Sequence, residues 1–340
     1  MSISESEVLL SIVIPTYNSA CTIKKVLNSI INLTYPNLKC IELIIIDDNS
    51  SDETLRIINE FTNKYQDKLY SIKTIVRKGR EGVVSARNLG ARLAQGKYIL
   101  FLDSDVLLKP NILRRLIEVA DRDPHTVVSI PYVSESPSIL ELIGVCRYLG
   151  KIRCGTVFGG AVLVRREVVD HNLLFDERLG YPYSALEDFE YGVRLKKHRY
   201  KVLVYGKELL VHIKCSRSKS NKNGKILKVI VRKIREYFSR KHRKVMYIIF
   251  IRAPLKFKLE YMLYMLFPIL VITLMLWSIL YSTCLLAIGL LISIFWSCIE
   301  CKSAPIMVRF MAGPVILLSR VARALSLMIK FLEKLLGLEH

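Results

Sequence analysis

Short apolar runs alternate with amphipathic stretches over the first third of the chain. The apolar runs are residues 8–14, 41–46, 71–76 and 98–102, and each has the length of a β-strand. Between them, apolar side chains recur at the spacing of a helix that buries one face. A β-α-β-α-β-α-β order predicts a mostly parallel sheet covered by helices, and fully apolar runs suit strands that are buried on both faces. We therefore expect an α/β, Rossmann-like domain.

Further patterns extend this prediction along the chain. Ser50 and Glu53 are spaced as a capping box, which predicts the start of a helix carrying Leu55, Ile58 and Phe61 on its buried face. The remaining predicted elements are helices at residues 83–94 and 186–198 and strands at residues 161–165 and 201–205.

The end of the chain has a different composition. Residues 261–299 contain no charged side chain, and one bilayer crossing needs only about 20 residues. We predict two membrane spans, near residues 261–279 and 282–299. The alternative is a helical hairpin in a soluble core, although soluble helices normally keep a polar face. Residues 304–336 are apolar but interrupted by Arg and Lys, which predicts an interfacial helix, with a third short span as the alternative.

The segment before this run is strongly basic. Residues 218–258 hold 14 Lys or Arg and one acid, in a chain whose net charge is +21. Apolar residues at helical spacing make the segment a basic amphipathic helix, which can bind nucleic acid or anionic lipid headgroups. Its place directly before a predicted span favours an anionic membrane surface and no nucleic acid. It also puts the N-terminal side in the cytoplasm.

These patterns predict three parts: a Rossmann-like domain at residues 1–217, a basic amphipathic juxtamembrane segment at 218–258, and transmembrane and interfacial helices at 259–340. Residues 8–14 are too short an apolar run for a signal peptide. We therefore expect a multi-pass protein of the cell membrane whose first domain is cytoplasmic.

Polar residues follow each of the first four predicted strands. In an open parallel sheet, ligands bind beyond the carboxyl ends of the strands, so these residues should meet at one edge. The four stretches begin "PTYN" at Pro15, "DDNSSDET" at Asp47, "RKGREGVVSARNLG" at Arg77 and "DSD" at Asp103. An Asp-x-Asp pair alone is expected about once by chance in a chain of this length. The order and spacing of all four stretches together are far more specific than this pair alone.

Four longer stretches form a recognisable set. They read "SIVIPTYNS", "IIIDDNSSDET", "SARNLGARLAQGKYILFLDSD" and "LEDFEYGVRLKKHRYKV". The set resembles the family 2 glycosyltransferases of GT-A fold, and the resemblance covers about residues 8–217. It implies transfer of a sugar from a UDP- or GDP-linked nucleotide sugar. That reaction requires the nucleotide to be held, the diphosphate to be neutralised and the acceptor hydroxyl to be deprotonated.

The resemblance places the nucleotide beside the loops after the first two strands. Asp48 can accept a hydrogen bond from the base, and Tyr17 can stack on it. Helix capping remains open as the alternative role of Asp47, and packing or a solvated charge remains open for Tyr17 and Arg77. The candidate nucleotide- and donor-binding residues are Pro15, Tyr17, Asp48, Arg77, Arg87, Asn88, Ser104 and Arg217.

The Asp-x-Asp pair suits a divalent ion. Mg²⁺ and Mn²⁺ prefer carboxylate oxygens and substrate phosphates. In the family, this motif binds the ion, with Asp105 the stronger ligand position. His212 matches a family histidine that often completes the metal site, and a structural role is the alternative. The resemblance implies a Mg²⁺ or Mn²⁺ ion at Asp103, Asp105 and His212, acting as a Lewis acid on the departing phosphate.

Glu187 and Asp188 lie at the start of a predicted helix, where acids suit the positive end of the helix dipole. An ordinary helix start, with an i,i+4 ion pair between Glu190 and Arg194, is therefore one interpretation. The resemblance makes Asp188, rather than Glu187, the general base that deprotonates the acceptor. One displacement with one base inverts the anomeric configuration.

One difference between this sequence and a related group of enzymes bears on the class of acceptor. Polyprenyl- and dolichyl-phosphate sugar synthases share this order of parts, but a glutamine-containing segment usually follows their Asp-x-Asp, where this chain has Val106-Leu107-Leu108. Their anionic acceptor needs no base, so the Glu187-Asp188 pair favours a hydroxyl acceptor.

We predict a membrane-anchored, metal-dependent, inverting glycosyltransferase of the hexosyltransferase type, acting on a lipid-linked or other saccharide. A polyprenyl-phosphate sugar synthase is the alternative. A nucleotidyltransferase would need a Gly-rich phosphate loop after the first strand. A non-catalytic membrane scaffold would not need all of these acids.

Overall fold

The computed structural model describes residues 8–35, 37–137, 139–181, 186–214, 258, 262 and 288–295. The chain divides into two compact units, residues 1–138 with 150–216 and residues 139–149 with 217–340. The candidate site lies in the first unit.

The strands of the first unit are short and numbered in chain order. They are β1 (Leu10–Thr16), β2 (Ile41–Asp47), β3 (Ser71–Val76), β4 (Tyr98–Leu102), β5 (Val106–Leu107), β6 (Thr126–Ser129), β7 (Tyr132–Ser134), β8 (Ile152–Cys154), β9 (Ala161–Arg165), β10 (Lys201–Tyr205) and β11 (Leu210–His212). Eight of them form one sheet of order β3-β2-β1-β4-β9-β6-β10-β8, and the other three form a small sheet of order β5-β11-β7.

The first four strands form one parallel block of the large sheet, and β6 and β10 form a separate parallel pair. β1 pairs in parallel with β2 and β4, and β2 pairs in parallel with β3. β9 runs antiparallel between β4 and β6, and β8 is an antiparallel edge strand on β10. The carboxyl ends of β1, β2, β3 and β4 therefore meet at one edge, as predicted.

Helices cover both faces of the large sheet. In chain order the α-helices of the first unit are α1 (Ile23–Ile31), α2 (Thr54–Tyr65), α3 (Val83–Leu93), α4 (Ile112–Ala120), α6 (Arg166–Asp170) and α7 (Glu187–Lys197), whereas α5 (Ile139–Val145) belongs to the second unit. Successive side chains of β1 point to opposite faces. Ile12 and Ile14 therefore join the core beneath α1, α2 and α4, whereas Val13 joins the core beneath α3, α6 and α7. This is a three-layer α/β/α arrangement.

The start of α2 differs from the predicted capping box. The helix begins at Thr54, and Glu53 before it makes no side-chain capping hydrogen bond. Ser50 instead donates its hydroxyl to Asp47 Oδ1 at 2.5 Å, and Thr54 N donates to Asp52 Oδ1 at 3.0 Å. Short polar side chains often hydrogen-bond to nearby groups in a turn in this way. Asp47 thus has a local structural role, in a turn rather than at a helix cap.

Of the second unit, the structure describes α5, residues 146–149 and the helical residues 258, 262 and 288–295. Within the described part of the chain, no helix combines the length and the apolar character needed to cross a membrane.

The predicted spans share only residues 262 and 288–295 with the described part, and the predicted basic segment shares only residue 258. Residues 304–336 lie entirely outside it. The membrane assignments therefore stay predictions.

Candidate active site

A cleft with a volume of about 290 Å³ lies at the carboxyl ends of β1, β2 and β4, beside the start of α3. Small-molecule sites typically measure about 300–1,000 Å³, so the cleft is at the lower end of this range. Open α/β sheets bind ligands at this kind of position. The residues that line it are Pro15, Thr16, Tyr17, Asp48, Arg80, Gly82, Val83, Ala86, Arg87, Asp103, Ser104, Asp105, Tyr181 and Glu187.

Asp48 is buried after β2 and fixes the loop that follows β3. Its Oδ1 accepts hydrogen bonds from Glu81 N at 2.9 Å and Arg77 Nη1 at 3.2 Å, and its Oδ2 accepts one from Gly82 N at 2.7 Å. Arg77 is also buried and donates to Ser85 Oγ at 3.1 Å. The structure thus joins these two predicted nucleotide-binding residues, with the Arg77 guanidinium directed at protein partners.

The two aspartates after β4 have different partners. Arg87 Nη2 donates to Asp103 Oδ1 at 2.5 Å, while Asp105 Oδ2 lies 2.9 Å from His212 Nε2. His212 reaches this edge because β11 pairs antiparallel with β5, with His212 opposite Val106. The three predicted metal ligands therefore lie at the same edge of the fold.

Glu187 and Asp188 begin α7 on the other side of Arg87. Glu187 Oε1 lies 3.9 Å from Arg87 Nη1. Asp188 Oδ2 accepts a hydrogen bond from Gly159 N at 3.1 Å, and its Oδ1 accepts one from Phe189 N at 2.7 Å. Burial raises the pKa of both carboxyl groups above the ordinary range. A carboxylate in this state is a better proton acceptor than an exposed aspartate.

Arg87 connects the two acidic groups. It is buried, and its Nη2 donates to Gly159 O at 3.1 Å as well as to Asp103. Burial alone would lower its pKa, but the charges of Asp103 and Glu187 outweigh that effect and raise the pKa. Its buried Nε and Nη1 donate no hydrogen bond to any described residue. These two nitrogens carry three N–H groups that have no acceptor among the described residues.

The position of α7 is fixed behind the acid pair. Arg194 Nε donates to Glu190 Oε1 at 2.9 Å, which confirms the predicted i,i+4 pair, and Arg194 Nη2 donates to Leu174 O at 2.5 Å. Glu190 is fully buried. Leu186, directly before α7, has a φ of 60°, a conformation that a bulky side chain rarely adopts. Such backbone strain occurs preferentially at functional sites.

The three predicted metal ligands fit a divalent ion that is shared with a substrate. Asp103 and Asp105 supply carboxylate oxygens and His212 supplies an imidazole nitrogen, all of which Mn²⁺ accepts. Among the residues that the structure describes, no three His, Cys, Asp or Glu side chains come close enough to enclose an ion. An ion here would need oxygens from a diphosphate, which is the usual way in which Mg²⁺ is held at phosphate sites.

The remaining predicted donor-binding residues have different surroundings. Those that line the cleft are Pro15, Tyr17 and Ser104. Asn88 is buried, and its side chain exchanges two hydrogen bonds with the backbone of Phe175, Nδ2 to O at 2.9 Å and N to Oδ1 at 3.0 Å. These bonds give Asn88 a packing role in the structure. Arg217 lies outside the described residues.

Three residues near the site were not predicted from the sequence. Arg80 and Tyr181 line the cleft. The Tyr132 ring centroid lies 5.6 Å from that of His212, and a Cβ on Gly160 would come 2.6 Å from the Tyr132 ring. Burial and the nearby carboxylates raise the Tyr132 pKa, so its hydroxyl stays protonated. The pair of glycines at 159–160 was a sequence sign of this close approach.

Two family models match the chain. "Glycosyl transferase family 2" matches residues 11–144, and "Glycosyl transferase family group 2" matches residues 98–313, which is more than half of the chain. The chain belongs to glycosyl transferase family group 2. The family predicted from the sequence is confirmed, and both matches include Asp103 and Asp105.

Curated relatives share a segment with this family 2 chain. An uncharacterized glycosyltransferase of Haemophilus influenzae is 43% identical over 97 residues, which are 28% of this chain and 36% of that protein. Poly(ribitol-phosphate) beta-glucosyltransferase of Bacillus spizizenii is 40% identical over 106 residues, 31% of this chain and 16% of that protein. The match thus spans little more than a third of the first relative and less of the second.

Solved structures share the fold of this family 2 chain. Staphylococcus aureus TarS in complex with UDP has a TM-score of 0.51 and 20% identity, over 73% of this chain and 67% of that one. Mannosyltransferase PcManGT from Pyrobaculum calidifontis, in complex with GDP-Man and Mn²⁺, has a TM-score of 0.56 and 19% identity, over 91% of this chain and 86% of that one. The predicted α/β, GT-A-like fold with a mostly parallel sheet is confirmed.

Proposed function

We propose that this protein transfers a sugar from a nucleotide-sugar donor to a hydroxyl group of an acceptor, with Asp188 as the general base. The observation that carries the proposal is the Arg87 bridge. On one side, Arg87 holds Asp103, which shares its edge with Asp105 and His212. On the other side, it lies beside the acid pair that begins α7. Groups suited to a diphosphate thus lie next to a group suited to deprotonating a hydroxyl.

The backbone around Asp188 fits the task of a base. Its carboxylate is oriented by the N–H groups of Gly159 and Phe189. In the proposed step, Asp188 accepts the proton of the acceptor hydroxyl while that oxygen bonds to the anomeric carbon. The bond between the anomeric carbon and the diphosphate oxygen breaks, and the nucleoside diphosphate leaves with the electron pair. One displacement from the opposite side inverts the anomeric configuration.

The groups after β4 and on α3 act on the leaving diphosphate. Asp103, Asp105 and His212 would hold the Mg²⁺ or Mn²⁺ ion, which when bound offsets the negative charge that develops on the diphosphate. Arg87 lies beside them with three N–H groups, on Nε and Nη1, that have no acceptor among the described residues, and hydrogen bonds between a guanidinium and an anionic oxygen are among the strong ones.

Named relatives support this reaction class. The Bacillus spizizenii relative is a poly(ribitol-phosphate) beta-glucosyltransferase. Among the solved structures of similar fold, TarS has been seen with UDP-GlcNAc and PcManGT with GDP-Man and Mn²⁺. For this chain we therefore propose a UDP- or GDP-linked sugar as the donor and a divalent ion as the cofactor.

We further propose that the acceptor is a lipid-linked saccharide at the cytoplasmic face of the cell membrane. The basic residues 218–258 would lie on anionic lipid, and the charge-free run at 261–299 would span the bilayer. An acceptor that is already a phosphate anion needs no base to deprotonate it. The Asp188 environment therefore favours a hydroxyl acceptor over a polyprenyl phosphate.

Donor turnover by the full-length protein tests this proposal. The purified protein is incubated with a panel of UDP- and GDP-sugars, Mn²⁺ and a membrane lipid extract, and release of the nucleoside diphosphate is measured. We expect Asp188→Asn to lower turnover by about 10²–10⁴-fold, the usual contribution of a general base. Asp67→Asn, at an exposed carboxylate, should retain turnover. Full activity of Asp188→Asn would contradict the base assignment, and wild-type protein inactive on every donor would contradict the reaction class.

A further inference from the structure

Tyr132 lies in the small sheet beside a candidate metal ligand. It begins β7, which pairs in parallel with β11 so that Tyr132 is opposite Leu210, two residues before His212. Side chains two residues apart on a strand point to the same face, so the Tyr132 and His212 rings share one face of this sheet. Their centroids are 5.6 Å apart. Strand pairing therefore holds Tyr132 next to the candidate metal site.

The Gly159-Gly160 dipeptide fixes Tyr132 relative to two carboxylates of the candidate site. Gly159 N donates to Asp188 Oδ2 at 3.1 Å, and Gly160 O accepts a hydrogen bond from Asp103 N at 3.0 Å. A Cβ on Gly160 would lie 2.6 Å from Tyr132 Cε1 and 2.7 Å from Cδ1, so the ring lies against the glycine backbone. The two glycines thus hold Tyr132, Asp103 and Asp188 in one arrangement.

The Tyr132 hydroxyl makes no hydrogen bond to a residue that the structure describes. The residue is partly exposed, and its hydroxyl oxygen is not one of the enclosed, unpaired polar atoms. Burial, together with the charges of Asp103, Asp188 and Asp105, raises its pKa, so the phenol keeps its proton at neutral pH. In the proposed reaction these carboxylates serve the metal ion and the acceptor proton. The phenol O–H then remains available to a substrate oxygen.

The proposed reaction places the transferred sugar beside this hydroxyl. The diphosphate lies at Asp103 and Asp105 and the acceptor hydroxyl at Asp188, so the anomeric carbon lies between them. A side chain that is near all three carboxylates therefore flanks the sugar. Neither Tyr132 nor Asp188 lines the cleft that would hold the nucleotide. A sugar presents several hydroxyl groups, and a site that hydrogen-bonds one of them rejects substrates that lack it.

We propose that Tyr132 is a sugar-binding residue, whose hydroxyl donates a hydrogen bond to a hydroxyl group of the transferred sugar and so contributes to the choice of sugar. This inference rests on the proposed function and deepens it, because it assigns the sugar end of the donor to a residue outside the cleft. The Tyr132 ring packs against Gly160 and His212, so only its hydroxyl is assigned to the substrate.

Calorimetric titration of the full-length protein, with Mn²⁺ and without an acceptor, tests the role of the hydroxyl. The ligands are UDP, UDP-glucose, UDP-GlcNAc, GDP and GDP-mannose. Tyr132→Phe keeps the ring and removes only the hydroxyl. We expect it to weaken binding of the preferred nucleotide sugar by about 3- to 10-fold, the usual effect of losing one hydrogen bond, and to leave binding of the matching nucleoside diphosphate unchanged. Tyr70→Phe, at an exposed tyrosine, should bind both as wild type.

Deoxy forms of the preferred donor identify the sugar hydroxyl. The donor that lacks the paired hydroxyl should bind wild type and Tyr132→Phe equally well, because the interaction is already lost. The other deoxy donors should show the full difference between the two proteins. An equal loss in Tyr132→Phe with every deoxy donor would contradict a bond to a sugar hydroxyl.

Each remaining outcome overturns the Tyr132 assignment in a distinguishable way. An equal loss for the nucleoside diphosphate and the nucleotide sugar would show that Tyr132 acts through the metal site. Wild-type affinity of Tyr132→Phe for every ligand would overturn the assignment and leave the proposed function standing. If wild-type protein bound none of the five ligands, the proposed function would fail and the assignment with it. Tyr132→Phe should unfold at the wild-type temperature, and a lower temperature than that of Tyr70→Phe would show that the hydroxyl has a protein partner instead.

Discussion

At the scale of single residues, Asp188 determines how activity should depend on pH. Burial raises its pKa above the ordinary aspartate value of 3.8, although its two backbone hydrogen bonds act in the opposite direction. A general base must be deprotonated, so activity should fall as the pH decreases through this raised pKa. We expect the acidic limb of the kcat profile to have its midpoint above 3.8. A kcat that stays constant down to that pH would contradict the role of Asp188.

Glu187 should affect the stability of the fold in a pH-dependent way. Burial and the neighbouring Asp188 raise its pKa above 4.5. A group with a raised pKa contributes stability below its unfolded-state pKa, and the contribution is lost as the pH rises through the folded-state pKa. Glu187→Gln cannot ionise, so its free energy of unfolding relative to wild type should increase between acidic and neutral pH. Urea unfolding at both pH values measures the difference.

An exposed glutamate provides the control for that prediction. Glu118 on α4 is exposed, so Glu118→Gln should keep the same stability relative to wild type at both pH values. If Glu187→Gln lost stability relative to wild type between acidic and neutral pH, the Glu187 carboxylate would be stabilising in the folded state, contrary to this account.

At the scale of elements, the packing of α3 on β1 depends on a glycine. A Cβ on Gly90 would lie 2.3 Å from Val13 Cγ1, whereas a Cβ on Gly79 would meet nothing within 4 Å. We expect Gly90→Ala to lower the free energy of unfolding by about 1–3 kcal/mol, as overpacked cores do. Gly79→Ala should change it by less than about 0.5 kcal/mol, as surface substitutions usually do. Equal effects of both substitutions in urea unfolding would contradict the close packing of α3 on β1.

The elements that could be predicted from the sequence are those with a clear apolar pattern. β3, β4, β9 and β10 have the predicted bounds because a charged residue or a glycine follows each run. β1 lies at Leu10–Thr16 rather than residues 8–14, since Pro15 and Thr16 still pair with β2 in parallel register. The strands β5, β7, β8 and β11 have only two or three residues, too few to show a period. The predicted capping box does not form because Ser50 hydrogen-bonds to Asp47 in the turn after β2.

At the scale of the whole molecule, the sheet edge brings together residues that are far apart in the sequence. The convergence of Asp48, Asp103 and Arg87 followed from the predicted parallel order. The hydrogen-bond and ion-pair partners of these three residues could not be predicted in this way, because they depend on side-chain geometry. Arg80 gave no signal, since an exposed arginine has many ordinary roles, and the only sign of Tyr132 was the glycine pair at 159–160 that it packs against.

The predicted membrane part can be tested on the intact protein. If residues 261–299 span the bilayer, the protein should stay in the membrane fraction after a wash at about 1 M salt. At that ionic strength charges are screened beyond about 3 Å, so attraction of the basic segment to lipid headgroups alone would not hold it. Immunoblots of the washed pellet and the supernatant measure the distribution. Release of most of the protein into the supernatant would contradict the spans and leave only electrostatic binding.

The central claim is that Asp188 serves transfer to a hydroxyl acceptor, and the fate of a labelled sugar tests it most directly. Membranes that contain the full-length protein are given the radiolabelled nucleotide sugar that the donor screen identifies, and the lipid extract is counted before and after mild acid. We predict label that stays joined to a further sugar through a glycosidic bond, so that any label released by mild acid has the size of an oligosaccharide. This label should be absent with Asp188→Asn but present with Asp67→Asn. Label that mild acid releases as a single sugar or its phosphate, or that persists in Asp188→Asn, would contradict the account.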